Sequence, residues 1–161
     1  MKTLRIAVRV VLASLFLLPF STGISIAQQN GPAPPDFLVT LPSSFDFDDT
    51  VDILKGAIEQ ENLMVVHEID AQRMLRMVEV QTGGMKQILF FHPRYMKRII
   101  ESNRHGAIVP PLKIAVMEMP DGRVMVRYDR PTHLFEAYDG LSELAAELEG
   151  VIQQILDEIK D

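Results

Sequence analysis

Two periodicities of apolar residues follow one another along the chain after residue 36. Residues 63–70 alternate between apolar and polar positions, with His67 on the same predicted face as its apolar neighbours. Residues 37–41 and 88–91 are short apolar runs. Alternation with a period of two, and short apolar runs without helical spacing, are typical of β-strands. These three segments are therefore predicted to be strands.

The segment after Asp46 has helical spacing instead. Val51, Leu54 and Ile58 fall on one face of a helix, and Asn62 follows as a stop signal. An aspartate in front of such a segment accepts hydrogen bonds from the first free backbone N–H groups of the helix. The sequence therefore predicts a helix capped by Asp46.

Two further helices are predicted in the middle of the chain. Residues 71–78 place apolar side chains at helical spacing before a Gly-Gly pair. Pro93 suits the first turn of the next helix, for which Met96, Ile99 and Ile100 are the predicted buried stripe.

The second half of the domain contains a hairpin and a long helix. Residues 113–119 and 123–128 are apolar runs joined by Pro-Asp-Gly, a strong turn signal. Residues 141–159 form an amphipathic helical pattern, for which Asp139 is the predicted cap. The order of elements predicts an α+β domain, with a single antiparallel sheet and the long C-terminal helix packed on one face.

The first 27 residues have the three parts of a secretory signal peptide. Lys2, Arg5 and Arg9 precede an apolar run of about 11 residues, and Ser-Ile-Ala at 25–27 offers a cleavage site. The run is much shorter than the ~20 residues that a membrane-spanning helix needs. We therefore expect export to the periplasm or the medium with cleavage near Ala27, and a retained anchor is the alternative.

Three regions follow from this pattern. Residues 1–27 are the signal peptide, residues 28–35 (QQNGPAPP) are a Pro/Gly-rich linker, and residues 36–161 are the folded domain. Cleavage would remove three cations and change the formal net charge from −6 to −9. So acidic a domain is not expected to bind nucleic acid or insert stably into a membrane. The absence of cysteine excludes disulfides and thiolate metal sites.

Several local signatures, taken in order, resemble the DUF302 family (domain of unknown function 302). They are Val65-Val66-His67-Glu68-Ile69-Asp70-Ala71, Phe90-Phe91-His92-Pro93, Pro111-Leu112-Lys113, and the Asp121-Gly122 hairpin leading to Arg127-Tyr128. The resemblance spans about residues 44–159 and implies a β-α-β-β-β-β-α layout. It implies no activity. Members usually carry Gly-Asn-Pro at positions 91–93, so no role of that Gly-Asn pair carries over to this chain.

The strand-to-helix junction near residue 92 is the strongest candidate binding site. The free N–H groups and the dipole of a helix start favour anions, and Arg94 and Arg98 add positive charge there. The predicted ligand-binding residues are His92, Arg94, Tyr95 and Arg98. The alternative is that these side chains form an ordinary solvated helix face.

Imidazole and thioether groups also suit copper. His92 and Met96 are four residues apart on one predicted helix face, and copper binding through them is the second interpretation. Otherwise no cofactor is expected. No catalytic motif is present, so no catalytic residue is predicted, and an undetected enzyme is the third interpretation. The leading prediction is an exported, soluble, non-catalytic domain that binds a small anionic ligand or a protein partner, and homodimerisation is an open alternative.

Overall fold

The computed structural model describes residues 35–160. The predicted signal peptide and residues 28–34 of the predicted linker lie outside the described residues. The strands are β1 (Leu38–Pro42), β2 (Met64–Asp70), β3 (Met85–Phe91), β4 (Leu112–Glu118) and β5 (Val124–Asp129). The helices are α1 (Phe47–Gln60), α2 (Ala71–Arg76), α3 (Pro93–Asn103), α4 (Pro131–Leu134) and α5 (Ser142–Asp157), with a 3₁₀ helix at Arg104–Ile108.

The five strands form one antiparallel sheet in the order β1-β5-β4-β3-β2. The β4–β5 hairpin turns where Pro-Asp-Gly predicted it. Gly122 has a φ of 82°, a conformation that glycine adopts without steric cost. The predicted α+β class, the single antiparallel sheet and the long C-terminal helix are confirmed.

One face of the sheet, called the covered face, carries the core. Ile88, Ile114 and Tyr128 lie opposite one another on three neighbouring strands and are each at most 2% exposed. They belong to one apolar cluster with side chains of α1, α3 and α5, such as Leu54 and Leu148. Burial of this apolar surface is the main favourable contribution to folding.

Helix α1 begins as the sequence predicted. The carboxylate of Asp46 accepts a hydrogen bond from Asp49 N at 3.0 Å. One turn later, the buried Thr50 hydroxyl donates to Asp46 O at 2.6 Å and lies 2.7 Å from Ser43 Oγ. Gly84 lets β3 approach this helix start, because a Cβ there would lie 2.6 Å from the Phe47 ring. The chain before α1, its first turn and β3 therefore meet at one end of the domain.

Helix α5 differs from the prediction at its start. Leu141 precedes it without a side-chain cap, so the predicted Asp139 cap is wrong. The backbone carbonyl of Asp139 instead accepts from Asn103 Nδ2 at 3.2 Å. Gly140, with a φ of 81°, follows Asp139 and redirects the chain before the helix begins.

The face of β2 on which His67 was predicted to lie is also corrected. The pairing of β2 with β3 shifts between Val65 and His67, which places Val65 opposite Phe90 but His67 opposite Leu89. A bulge of this kind moves the following side chains to the other face, and His67 is exposed.

In α3 the residues predicted to share one buried stripe have different exposures. Ile99 is buried and Met96 is partly buried, but Ile100 is 44% exposed. Tyr95 is 1% exposed and takes a place in the core. The helix is therefore rotated relative to the predicted orientation, because a large aromatic ring buries more apolar area than Ile100 would.

Helix α2 is shorter than its pattern suggested and has no buried residue. Met74 and Val78, which belong to the predicted helical spacing of residues 71–78, are 59% and 67% exposed. No helix of residues 35–160 is long and apolar enough to cross a membrane.

Candidate functional site

His92, the first of the predicted ligand-binding residues, immediately precedes helix α3 and caps it. His92 is extended, and its Nδ1 accepts a hydrogen bond from Arg94 N at 3.0 Å. Pro93 has no N–H to offer, and Tyr95 N is bonded to His92 O at 3.0 Å. The first backbone donors of this helix are thus already satisfied, so an anion at this position would be held by side chains.

The next predicted residues meet around one aromatic ring. The guanidinium carbons of Arg94 and Arg98 lie 4.8 Å and 5.7 Å from the centre of the Tyr95 ring. Arg94 also donates a hydrogen bond to the Tyr95 hydroxyl at 3.3 Å. Cation–π contacts of this kind fix the positions of long cationic side chains. Tyr95 therefore orients two arginines from within the core.

The two arginines differ in whether a carboxylate compensates their charge. Arg98 Nη1 lies 2.7 Å from Glu147 Oε2 of α5, so its charge is compensated. Arg94 forms no ion pair within residues 35–160, although its Nη2 reaches the backbone carbonyl of Glu61 at 3.5 Å. Arg94 is consequently the member of the predicted set that can meet an external anion.

Next to this helix start lies a shallow apolar groove of about 280 Å³, called the α3 groove. Its lining residues are Met64, Val66, Phe91, His92, Pro93 and Met96. Met64 and Val66 belong to edge strand β2 and are each 51% exposed. The volume approaches the lower end of the range for small-molecule sites, about 300 Å³. The groove offers room for an apolar chain or ring, and Arg94, which is not among its lining residues, directly follows Pro93 in the chain.

The predicted copper ligands His92 and Met96 both line this groove, and Met64 joins them there. The hydrogen bond from Arg94 N to Nδ1 has a consequence for metal binding. A neutral His92 that accepts at Nδ1 carries its proton on Nε2 and has no lone pair free there. Coordination through Nε2 would move that proton to Nδ1 and release the helix cap. Within the described part of the chain, no three His, Asp or Glu side chains are grouped closely enough to hold a metal ion.

The remaining histidines do not line the α3 groove. His67 and His105 are exposed. His133 lies 3.0 Å from Glu136 Oε2 and stacks on Phe37 with ring centres 4.1 Å apart.

A second cavity lies at the N-terminal end of α1 and is acidic, which the sequence did not indicate. It has a volume of about 580 Å³. Its lining includes Asp46, Asp48, Asp49, Asp70, Glu118 and a single cation, Lys86. Several of these carboxylates have structural partners: Asp70 accepts from Arg73 N at 2.7 Å and Glu118 from Gly84 N at 2.9 Å. The acids come from three segments of the chain, at residues 46–49, 70 and 118, so no single local motif could have revealed the cavity.

Comparisons with known proteins agree on a family and assign no activity. A search of curated proteins finds no match. Among solved structures, an uncharacterised conserved DUF302 protein from Bacillus stearothermophilus is similar, with 21% identity and a TM-score of 0.71. The match covers 78% of this chain and 99% of that one. A family model described as domain of unknown function DUF302 matches residues 39–159. The chain therefore belongs to the DUF302 family.

Proposed function

We propose that this protein is an exported binding domain without catalytic activity, and that its ligand is a small anion with an apolar part. The apolar part would occupy the α3 groove, and Arg94 would contact the negative group. Export rests on the three-part pattern of residues 1–27, with residues 28–35 as a tether.

The observation that carries this proposal is that Arg94, an arginine without an ion pair among the described residues, directly follows two residues that line the α3 groove. His92 and Pro93 line the groove, and Arg94 follows them directly in the first turn of α3. Its guanidinium is held over the Tyr95 ring and has no carboxylate partner among the described residues. An apolar surface with one oriented cation on the residue that follows it in the chain suits an amphiphilic anion, since apolar contact supplies affinity and the cation supplies orientation.

A non-catalytic role is supported by how the cavity carboxylates are used. Asp46, Asp70 and Glu118 each accept a hydrogen bond from a backbone N–H near the acidic cavity. Carboxylates engaged in this way stabilise helix starts and strand ends. They are accounted for without an acid–base role.

Decanoate is a suitable probe, because it combines an apolar chain with a carboxylate, and decanol is its neutral counterpart. Amide chemical shifts in a titration with decanoate should change at residues 64–66 and 91–96. Arg94→Gln should weaken decanoate binding about 5-fold, the size of one solvent-exposed charge contact, and leave decanol binding unchanged. Arg123→Gln removes an exposed arginine of the distant β4–β5 turn and is the matched control.

Shift changes confined to another surface would overturn the proposed site. So would equal weakening of decanoate by Arg94→Gln and Arg123→Gln. Export is tested separately by the mass of the protein that accumulates outside the cytoplasm, which should correspond to the chain from residue 28.

Copper binding remains a second candidate, because Met64, His92 and Met96 share the α3 groove. Soft thioethers together with one imidazole suit Cu(I). Titration with Cu(I) against a chromophoric competitor should show one bound ion, which Met64→Leu and Met96→Leu each weaken. Met74→Leu, at an exposed position outside the groove, is the control. Binding that is equally strong in all three variants would exclude this site.

A further inference from the structure

The face of the sheet opposite the covered face, called the open face, has an ordered pattern that the strand registers define. Its first row crosses four strands through Pro42, Met125, Met117 and Met85. Its middle row crosses all five through Thr40, Arg127, Ala115, Gln87 and Ile69. Its end row contains Leu38, Asp129, Lys113, Leu89 and His67. None of these side chains is fully buried within the described residues.

This face is more apolar than a face in contact with water needs to be. Antiparallel sheets with one solvated face usually carry polar residues there. On the open face, the three methionines of the first row are direct cross-strand neighbours. Ile69 and Leu89 extend the apolar surface toward β2. Methionine is common at protein-binding surfaces because its flexible thioether adapts to the partner.

The charged groups of the open face lack partners within the described chain. Arg127 lies in the middle row, and its Nε is buried without a hydrogen-bond partner. Asp129 and Lys113 lie in the end row, and none of the three forms an ion pair among residues 35–160. A buried donor without a hydrogen-bond partner carries an energetic cost in a folded structure. An acceptor from another molecule would remove that cost for Arg127.

We propose that the open face binds the open face of a second copy of this chain. Arg127 and Asp129 lie two residues apart on β5, so their side chains point to the same face about 7 Å apart. If a two-fold axis crosses β5 at the level of Tyr128, the two β5 strands run antiparallel over one another. Each Arg127 then faces Asp129 of the second copy, and symmetry forms the pair twice.

The dimensions of the sheet agree with a modest interface. Five strands spaced about 4.8 Å apart and about 20 Å long give a face of about 500 Å² per copy. Two copies therefore bury at most about 1,000 Å², which is near the lower limit for a specific interface. A self-complementary pair of opposite charges favours a second copy over an unrelated partner, because one chain supplies both halves. We expect a dimer that dissociates in the micromolar range.

The test uses the full-length gene product in the form in which it accumulates, studied by sedimentation velocity from about 1 to 200 µM. The wild type should shift from monomer to dimer over this range. Arg127→Glu and Asp129→Arg should each weaken self-association at least 10-fold. When mixed, these two variants should form a heterodimer, because one presents two acids and the other two cations at the paired positions. The double variant Arg127→Glu/Asp129→Arg should recover self-association.

The matched control is the β4–β5 turn, where Asp121 and Arg123 are also two residues apart but pair with each other at 2.8 Å. Arg123→Glu and Asp121→Arg should leave self-association unchanged. Circular dichroism confirms folding, and if a charge reversal does not fold, Arg127→Gln and Asp129→Asn replace it, each with an expected 3-fold weakening. A wild type that is monomeric at 200 µM overturns the proposal. The same holds if the reversed variants do not associate when mixed, or if the neutral variants dimerise like the wild type.

Discussion

The two faces of the sheet are built from the same five strands and yet differ in nearly every physical respect. On β3, Ile88 points to the covered face and is fully buried, whereas its neighbour Leu89 points to the open face and is only partly buried. Apolar burial on the covered face supplies stability, and helices α1, α3 and α5 surround it. The open face holds apolar side chains and unpaired charges side by side. A residue's contribution to this protein therefore depends on its face more than on its chemical type.

The largest expected effect on the free energy of unfolding comes from truncating neighbouring side chains on the two faces. Ile88→Ala should lower the free energy of unfolding by about 3 kcal/mol, because it leaves a cavity in the core. Leu89→Ala, one position along the same strand, should lower it by less than about 1 kcal/mol, because its side chain is partly exposed. Urea denaturation at about 1 µM, below the expected dimerisation range, measures both. Equal losses would mean that the open face is as well packed as the covered one.

A smaller effect on the free energy of unfolding should distinguish a buried hydroxyl group from one on the exposed side of the sheet. Thr50→Val removes the buried hydroxyl that bonds Asp46 O and Ser43, and should cost about 1–2 kcal/mol, since both partners lose a partly buried hydrogen bond. Thr40→Val, on the exposed side of β1, should change the free energy of unfolding by less than about 0.5 kcal/mol. The same urea experiment applies. A larger loss at Thr40 than at Thr50 would contradict this account of the covered side.

The smallest effect concerns the helices beside the sheet and depends on pH. Burial opposes ionisation of Glu149, but hydrogen bonds from Thr132 and Arg130 outweigh it and lower its pKa below the usual value. A carboxylate with a lowered folded-state pKa stabilises the fold above its unfolded pKa of about 4.3. That stabilisation is lost as the pH falls through the folded-state value.

Glu149→Gln should therefore lower the free energy of unfolding by about 1 kcal/mol at pH 7, given that the ion pair with Arg130 is partly exposed. Wild type and variant should become more alike as the pH is lowered below 4. Asp121→Asn provides an exposed control, since its ion pair lies in the β4–β5 turn. A difference between wild type and Glu149→Gln that grows on acidification would show that the carboxylate is not stabilised as described.

Local signals predicted most of the fold. The Asp46 cap, the apolar run of β3, the Pro-Asp-Gly turn and the stripe of α5 each act within a few residues, so a sequence pattern is sufficient to reveal them. The DUF302 resemblance was likewise carried by short signatures in order and is confirmed. The predictions were wrong where packing against a neighbouring element determines which side chains are buried. The bulge at Val66 depends on the pairing of β2 with β3, and the burial of Tyr95 in place of Ile100 depends on how α3 is rotated in the core.

The candidate site was predictable only in part. His92, Arg94, Tyr95 and Arg98 do lie together, and Pro93 marked the helix start that positions them. The contribution of Met64 and Val66 to the α3 groove could not be read from the sequence, because β2 is about 30 residues away along the chain. The pairing of Arg98 with Glu147, which leaves Arg94 as the available cation, also depends on the packing of α3 beside α5.

By itself the sequence determined the class of the domain, its lack of cysteine and the order of its elements, because these follow from local periodicity and composition. Its short signatures, taken in order, also carried the resemblance to the DUF302 family. The tertiary structure alone decided which charges are compensated, which side chains share a groove, and which residues form rows on the open face. Cross-strand register and helix orientation set these features, and both result from contacts between segments distant in sequence. Arg94 in the first turn of α3 and Arg127 on the open face therefore owe their different surroundings to the tertiary structure.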